Sequence, residues 1–316
     1  MTPDVRPGWW ASQATRLLVV GQSIERLRGP GKLWRMAWNA VARSRRPVLI
    51  WVHGRALLSR PGNVYSVNVR RYPLYNQPLV DLVTAVAKVS GPVTVIDVGA
   101  AVGDTALLLL ERVPQLLERL VCIDGDEETL PLLRANVAHD ARVEVRPAML
   151  GGGRDAGVPT LVVTHPGTAS AQGPATVASR TLDAVLVDVG PIGVLKVDLD
   201  GWDGRILTGA SALLARLQPA VLFEWDPHLC DVTDNDSREA FRVLRAEGYD
   251  RAVFFDKTGP FVRAIDLADD DAIAALESWC RSRPVEINAH FDVAALAPTH
   301  AGAAVEFLRL STSAGG

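Results

Sequence analysis

The chain has 316 residues, 48% of them hydrophobic, a formal charge of −3 and three cysteines. That length can bury a large core; it is long for one minimal α/β catalytic domain and short for two. Cys122, Cys230 and Cys280 form no close pair, which argues against a disulfide framework or a structural zinc and favours a reducing compartment. No signal peptide is apparent and no apolar run approaches the roughly 20 residues of a membrane span, so a cytoplasmic protein is expected.

The charge is unevenly placed. Before Pro73, thirteen Arg and Lys residues face only Asp4 and Glu25, so this end is +11 and the remainder −14. Trp9, Trp10, Trp34, Trp38 and Trp51 lie among the basic residues. Such interleaving suits an anionic membrane surface, a phosphate-bearing substrate or nucleic acid; it equally suits a helical cap whose tryptophans pack inward and whose arginines are solvated. Residues 1–74 therefore read as a basic extension, helical at first, with "NVYSVNVRRYPLY" alternating like a strand or ribbon.

From residue 75 the pattern becomes a regular alternation of strands and helices. Val93 to Val98 is a β-branched run suited to a strand buried on both faces. It ends in Asp97, Gly99 and Gly103, and Asp104 opens an apolar helix with a carboxylate favourable to the helix dipole. A dinucleotide fingerprint would need G-x-G-x-x-G, but Ala101 holds the second glycine position, which disfavours a nicotinamide-dependent oxidoreductase. A second strand, Leu120 to Ile123, ends at Asp124, placed to accept ribose hydroxyls, with Asp126 a rival more suited to capping. A third strand, Arg142 to Val145, leads to Ala148, whose amide could meet an adenine edge.

Residues 150–180, rich in Gly and with only "PTLVVT" strand-like, read as an inserted ribbon or loop near the site. A fourth strand ends at Asp198, a helix begins near Trp202 or Asp203, and "PAVLFEW" is a fifth strand. "RAVFFDKTGPFVRAI" is a hairpin, and 301–316 is expected to be a C-terminal strand and tail. Ligands of open parallel sheets bind outside the strand carboxyl ends, which gathers Asp198, Asp200, Glu224, Asp226 and His228 on one edge with Asp97 and Asp124. His228 is the foremost histidine candidate for a base, with His165 second; His290 has no such placement. The carboxylates could also hold magnesium, though no spacing requires a metal.

Together, "VIDVGAAVGDTALLL", "RTLDAVL", "LKVDLDGWDGRILTGASALL" and "VLFE" resemble the FkbM methyltransferases over roughly residues 75 to 300, as do "FDVAAL" and the serine of "GTAS". Lys196, Asp198 and Gly201 match the family's fourth-strand motif, whereas Asp200 stands for its usual glutamate. Ala101 replaces asparagine, and "DGD" from Asp124 replaces glutamate-proline-aspartate.

The resemblance implies an α/β, doubly wound class I methyltransferase (Rossmann-like) mixed sheet with helices on both faces over 75–300. It also implies S-adenosylmethionine as cofactor and a hydroxyl of a sugar, glycan or natural product as acceptor. Matching positions would set Asp97, Gly99 and Gly103 at the methionine end and Asp124 on the ribose. Asp198, Asp200 and His228 are the catalytic candidates. A different class of function, a noncatalytic module binding a partner or membrane through its basic end, is kept open by the three departures.

Overall fold

The structure is a computed structural model and describes residues 6–23, 27, 29–44, 46–153, 157–165, 168–284 and 289–313. Asp4, Glu25, Arg26, Arg28 and Arg45 of the basic extension lie outside the described residues.

Two helices, α1 (Trp9–Val20) and α2 (Pro30–Ala42), precede a hairpin of β1 (Val48–Val52) and β2 (Arg55–Ser59), then α3 (Tyr65–Arg71) and α4 (Gln77–Ser90). The alternating part runs β3 (Val93–Val98), α5 (Asp104–Arg112), β4 (Leu117–Asp124), α6 (Leu130–Val137) and β5 (Val143–Pro147). A ribbon of β6 (Val158–His165) and β7 (Thr168–Val177) interrupts it before α7 (Leu182–Val185), β8 (Val194–Val197), α8 (Asp203–Thr208), α9 (Ser211–Leu217) and β9 (Ala220–Trp225). The chain continues through α10 (Pro227–Val232), α11 (Glu239–Ala246), β10 (Arg251–Asp256), β11 (Phe261–Asp266), α12 (Asp270–Arg281), β12 (Phe291–Leu296) and α13 (Ala301–Ser313).

Eight strands form one sheet in the order β11-β10-β12-β9-β8-β3-β4-β5. The strands from β9 to β5 in that order pair in parallel, while β12 is antiparallel to both β9 and β10. The connection after β3 runs to β4 on one side and that after β8 runs to β9 on the other, so the crevice beyond the carboxyl ends of β3 and β8 is a topological switch point.

All six residues of β3 are buried, because helices cover both faces. Alternate side chains feed two apolar clusters: Val95, Cys122 and Leu222 lie on the side of α4, α5 and α13, and Ile96, Val121 and Phe223 on the side of α7, α9 and α11. Val48, Ile50, Val52 and Leu57 of the N-terminal hairpin belong to the first cluster. Asn136 on α6 fastens that hairpin, its amide donating to the carbonyls of Leu58 and Val102 while its Oδ1 accepts the Leu58 N–H.

Two expected elements are corrected. The stretch expected to be a ribbon over "NVYSVNVRRYPLY" is α3: Tyr65, Ser66 and Val67 are buried consecutively, which no period-2 strand with one wet face allows, and Asn63 Oδ1 accepts the Tyr65 N–H at its start. The ribbon of this region is the β1–β2 hairpin upstream. Of the C-terminal 301–316 segment, expected to be a strand and tail, the described residues 301–313 form α13, because Ala303, Ala304, Phe307 and Ser311 share one helical face against the core. Within 150–180 a second strand, β7, joins the "PTLVVT" strand in an antiparallel pair.

Candidate active site at the sheet's switch point

The turn after β3 is shaped by close packing. Gly99 has φ +80, and a Cβ there would stand 2.0 Å from the Asp198 carbonyl oxygen, so only glycine lets the ends of β3 and β8 converge. Gly103 has φ +84 and faces Leu133 of α6, which a Cβ would meet at 2.8 Å. Ala101 between them is also left-handed, at φ 44, where the related motif carries the more tolerant asparagine. The turn's amides are spent internally: Gly99 and Ala100 donate to the Ile123 carbonyl, and Ala101 donates to Asp124 Oδ2 at 2.7 Å.

Asp97 is fully buried. Its Oδ1 accepts from Lys196 Nζ at 3.1 Å, and the same ammonium lies 3.2 Å from Asp198 Oδ2. Burial by itself would push the Lys196 ammonium down; Asp198 and Asp97 reverse this and hold it well above its ordinary range. Asp97 Oδ2 is buried without a hydrogen-bond partner. Asp97 thus pairs with Lys196 without lining the cavity, while Asp198, half exposed, lines it. Asp97, expected at the methionine end, therefore does not itself line the cavity.

Asp124 stands at the tip of β4, where Oδ2 takes the Ala101 amide and Oδ1 takes the Asp126 amide at 2.8 Å. A carboxylate has about four acceptor sites, so capacity remains for hydroxyl donors from the cavity it lines. Burial pushes this carboxyl up to about 6. Asp126, the rival position, accepts the Glu128 N–H and caps the following turn, as capping chemistry predicted. Ala148 also lines the cavity, but its N–H donates to the Asp124 carbonyl at 2.9 Å, so it offers an apolar wall and not the free amide expected from sequence.

These residues open on a cavity of about 500 Å³, within the ~300–1,000 Å³ typical of small-molecule sites. Its floor is the Gly99 turn, Asp124 and Ala148; β6 and β7 contribute Leu161, Ser170 and Ala171. It is lined further by Asn63, Tyr65, Asn68 and Tyr72 of α3 and its approach, by Asp198, Asp200 and Glu224, and by Lys257 and His290. Asp200 has φ 49, and burial with the nearby Asp198 and Asp226 charges pushes it up to about 7. Burial, reinforced by Asp198 and Asp200, drives Glu224 well above the ordinary carboxylate range.

The structure places the histidines differently from the sequence-based expectation. The His228 ring donates from Nε2 to the Cys280 carbonyl at 3.1 Å and does not line the cavity, because α10 turns it toward α12. His165 stands on β6 with its side chain outside the described residues. His290 is the imidazole in the cavity, with Nε2 3.3 Å from Glu224 Oε1 and Nδ1 3.7 Å from Asp226 Oδ2. Asp226 itself caps α10 through Oδ1, accepting from the His228 and Leu229 amides, which fixes its carboxylate beside the ring. Burial lowers the His290 pKa, so its neutral form is favoured. A signal existed in "HFDVAAL": an antiparallel strand brings its beginning, not its end, to the carboxyl edge of the parallel strands. Among the described residues, no group of three or more His, Cys, Asp or Glu is arranged to hold a metal ion.

A doubly wound sheet with its cavity at the β3 switch point, and β12 inserted antiparallel beside β9, defines the class I methyltransferase (Rossmann-like) α/β class. Residues 97–251, just under half of the chain, match the family described as the methyltransferase FkbM domain.

The chain is similar to the structure of the methyltransferase FkbM from Methylobacillus flagellatus KT (16% identity, TM-score 0.37), matching 51% of this chain and 40% of that one. It is also similar to the precorrin-6y C5,15-methyltransferase of Geobacter metallireducens GS-15 (12% identity, TM-score 0.37, 70% and 87% of the two chains). A SAM dependent methyltransferase of Aquifex aeolicus gives 12% identity, a TM-score of 0.35 and coverage of 65% and 82%. No curated protein matches the chain.

Proposed function

We propose that the chain transfers the methyl group of S-adenosylmethionine to a hydroxyl oxygen of a sugar, glycan or other polyol-like natural product. The observation that carries this is that one cavity at the switch point is lined both by Asp124, Gly99 and Ala148 at the tips of the parallel strands and by His290 beside Glu224. The spare acceptor capacity of Asp124 fits a ribose diol, and the half-exposed Asp198 fits the cationic methionine end. When bound, the cofactor supplies a methyl group already activated by its sulfonium.

The protein's remaining task is to hold an oxygen behind that carbon, exclude water and remove a proton. Asn63, Asn68 and Tyr72 offer amide and phenol groups beside aromatic surface, a combination suited to a polyhydroxylated ring. With the cofactor bound, the proton of the acceptor hydroxyl would pass to the His290 ring. Glu224 beside Nε2 and Asp226 beside Nδ1 would stabilise the charge the ring gains on accepting it. Asp200 orients acceptor hydroxyls. His228 keeps a structural role in this scheme.

Calorimetry with S-adenosylmethionine and S-adenosylhomocysteine, on wild type and Asp124→Ala, tests the cofactor half, with NAD as control. Micromolar binding that weakens at least about tenfold in the variant is expected, and an acceptor screen starting with sugars then follows. Absence of binding by the wild type would overturn the enzymatic reading.

A further inference from the structure

We propose that the outer face of α1 and α2 docks on the surface of an anionic lipid bilayer. On α1, Trp9, Trp10, Gln13, Arg16, Leu17 and Val20 are exposed at spacings that place them on one face, while Ala11, Ser12 and Thr15 on the other side are buried. On α2, Trp34, Trp38 and Val41 turn inward, and Lys32, Leu33, Met36 and Arg43 remain outside. The two helices form one layer, joined by the Trp34 indole donating to the Leu18 carbonyl at 2.9 Å.

The exposure is large where a folded domain would normally hide it: Trp9 is 76% exposed, Trp10 62%, Leu17 74% and Leu33 68%. Single exposed apolar residues need no explanation, but a set following the helical repeat on two packed helices does. Tryptophan and leucine beside arginine and lysine are the composition of helices that lie in a membrane interface. Charge chooses the occupant: the described residues between 6 and 44 include Arg16, Lys32 and Arg43 and no Asp or Glu. Among the described residues no helix is long and apolar enough to cross a membrane, so the contact is lateral.

The layer also touches the cavity wall. Val67 of α3 packs with Trp34 and Trp38, and Asn68, its neighbour in sequence, lines the cavity. Docking of α1 and α2 would therefore set the cavity's α3 wall close to the lipid headgroups.

The full chain is sedimented with vesicles of phosphatidylcholine alone and of phosphatidylcholine mixed with phosphatidylglycerol, while tryptophan emission is recorded. Binding to the mixed vesicles only, with a blue shift and release at high salt, is the expected result. The triple change Trp9→Ser, Trp10→Ser, Leu33→Ser should abolish it, and Arg16→Glu with Lys32→Glu should weaken it at least about tenfold. Both variants should keep the wild-type melting temperature, because every altered side chain is already exposed. Equal binding to neutral vesicles, or binding unchanged in both variants, would overturn the proposal. So would a wild type that ignores vesicles but forms a dimer lost in the triple variant, or one that binds only RNA. Since none of these readouts needs methyl transfer, their failure is distinct from failure of the proposed reaction.

Discussion

Ala101 shows what one backbone angle costs. A non-glycine residue at φ 44 with no compensating side-chain hydrogen bond carries local strain, and its N–H is nonetheless held by Asp124. Replacement by glycine removes the Cβ conflict while keeping the amide, so Ala101→Gly should stabilise the protein by about 1 kcal/mol, partly offset by the freer unfolded chain. Urea denaturation measures it directly; a loss of stability would mean the alanine methyl group packs better than its angle suggests.

His290 raises a question of protonation at the same scale. Burial lowers its pKa, so the base form would be present at neutral pH and lost only in more acidic solution. The acid limb of the kcat/KM profile should therefore fall below the ordinary histidine range. His290→Asn should lower kcat by about 10²–10⁴-fold and flatten that limb while leaving S-adenosylhomocysteine affinity nearly unchanged. A variant with full kcat and an unaltered profile would move the proton to Asp198 or Glu224.

At the scale of elements, α3 divides its labour. Its Tyr65 phenol contacts the His53 ring nitrogen at 2.8 Å, Val67 holds the α1–α2 layer, and Asn68 and Tyr72 line the cavity. Under the proposed reaction, Asn68→Ala should raise acceptor KM by about tenfold, the effect of losing a hydrogen bond of roughly 1.4 kcal/mol, with cofactor affinity unchanged. Equal weakening of both ligands would instead indicate that the wall as a whole has shifted. The junction of β3 and β8 is less forgiving than α3, because it joins two buried strands through Lys196. Removing that ammonium, as in Lys196→Met, leaves Asp97 buried without its cation and should destabilise by about 3–5 kcal/mol, seen as a large fall in melting temperature.

Across the whole molecule, the sheet edge concentrates acid. Burial pushes Asp200 up to about 7 and Asp292 up to about 8, both far above the range of an unfolded aspartate. Between pH 8 and 6.5 the folded chain therefore takes up protons that the unfolded chain does not, so stability rises as pH falls through this window. The ligand-free melting temperature should be higher at pH 6.5 than at pH 8. A cation in the cavity offsets the same repulsion, so S-adenosylmethionine should raise the melting temperature more at pH 8. A scan in which the ligand-free protein is most stable at pH 8 would show that these carboxyls are better solvated than their burial implies.

Local sequence determined the parallel core. The β-branched run ending in Asp97, the Gly99 and Gly103 turn, Asp124 at the next strand tip and Lys196 with Asp198 on the fourth strand were all legible. Each depends on side-chain period or on backbone angles fixed within a few residues. Tertiary structure decided what those residues face. Asp97 and Asp198 are equally acidic as letters, and only the buried Lys196 between them turns one into support and leaves the other in the cavity. His228 and His290 likewise differ by strand direction: β12 runs antiparallel and carries His290 to Glu224, while a short helix carries His228 to Cys280. Helical α3 and α13 were hidden because alternation over a few residues fits two periods, and burial against distant partners selects one. Contacts across the sheet couple residues 64 to 99 positions apart in the chain, such as Asp226 with Phe291's neighbour His290 and Asp97 with Lys196, and no local pattern encodes such a distance.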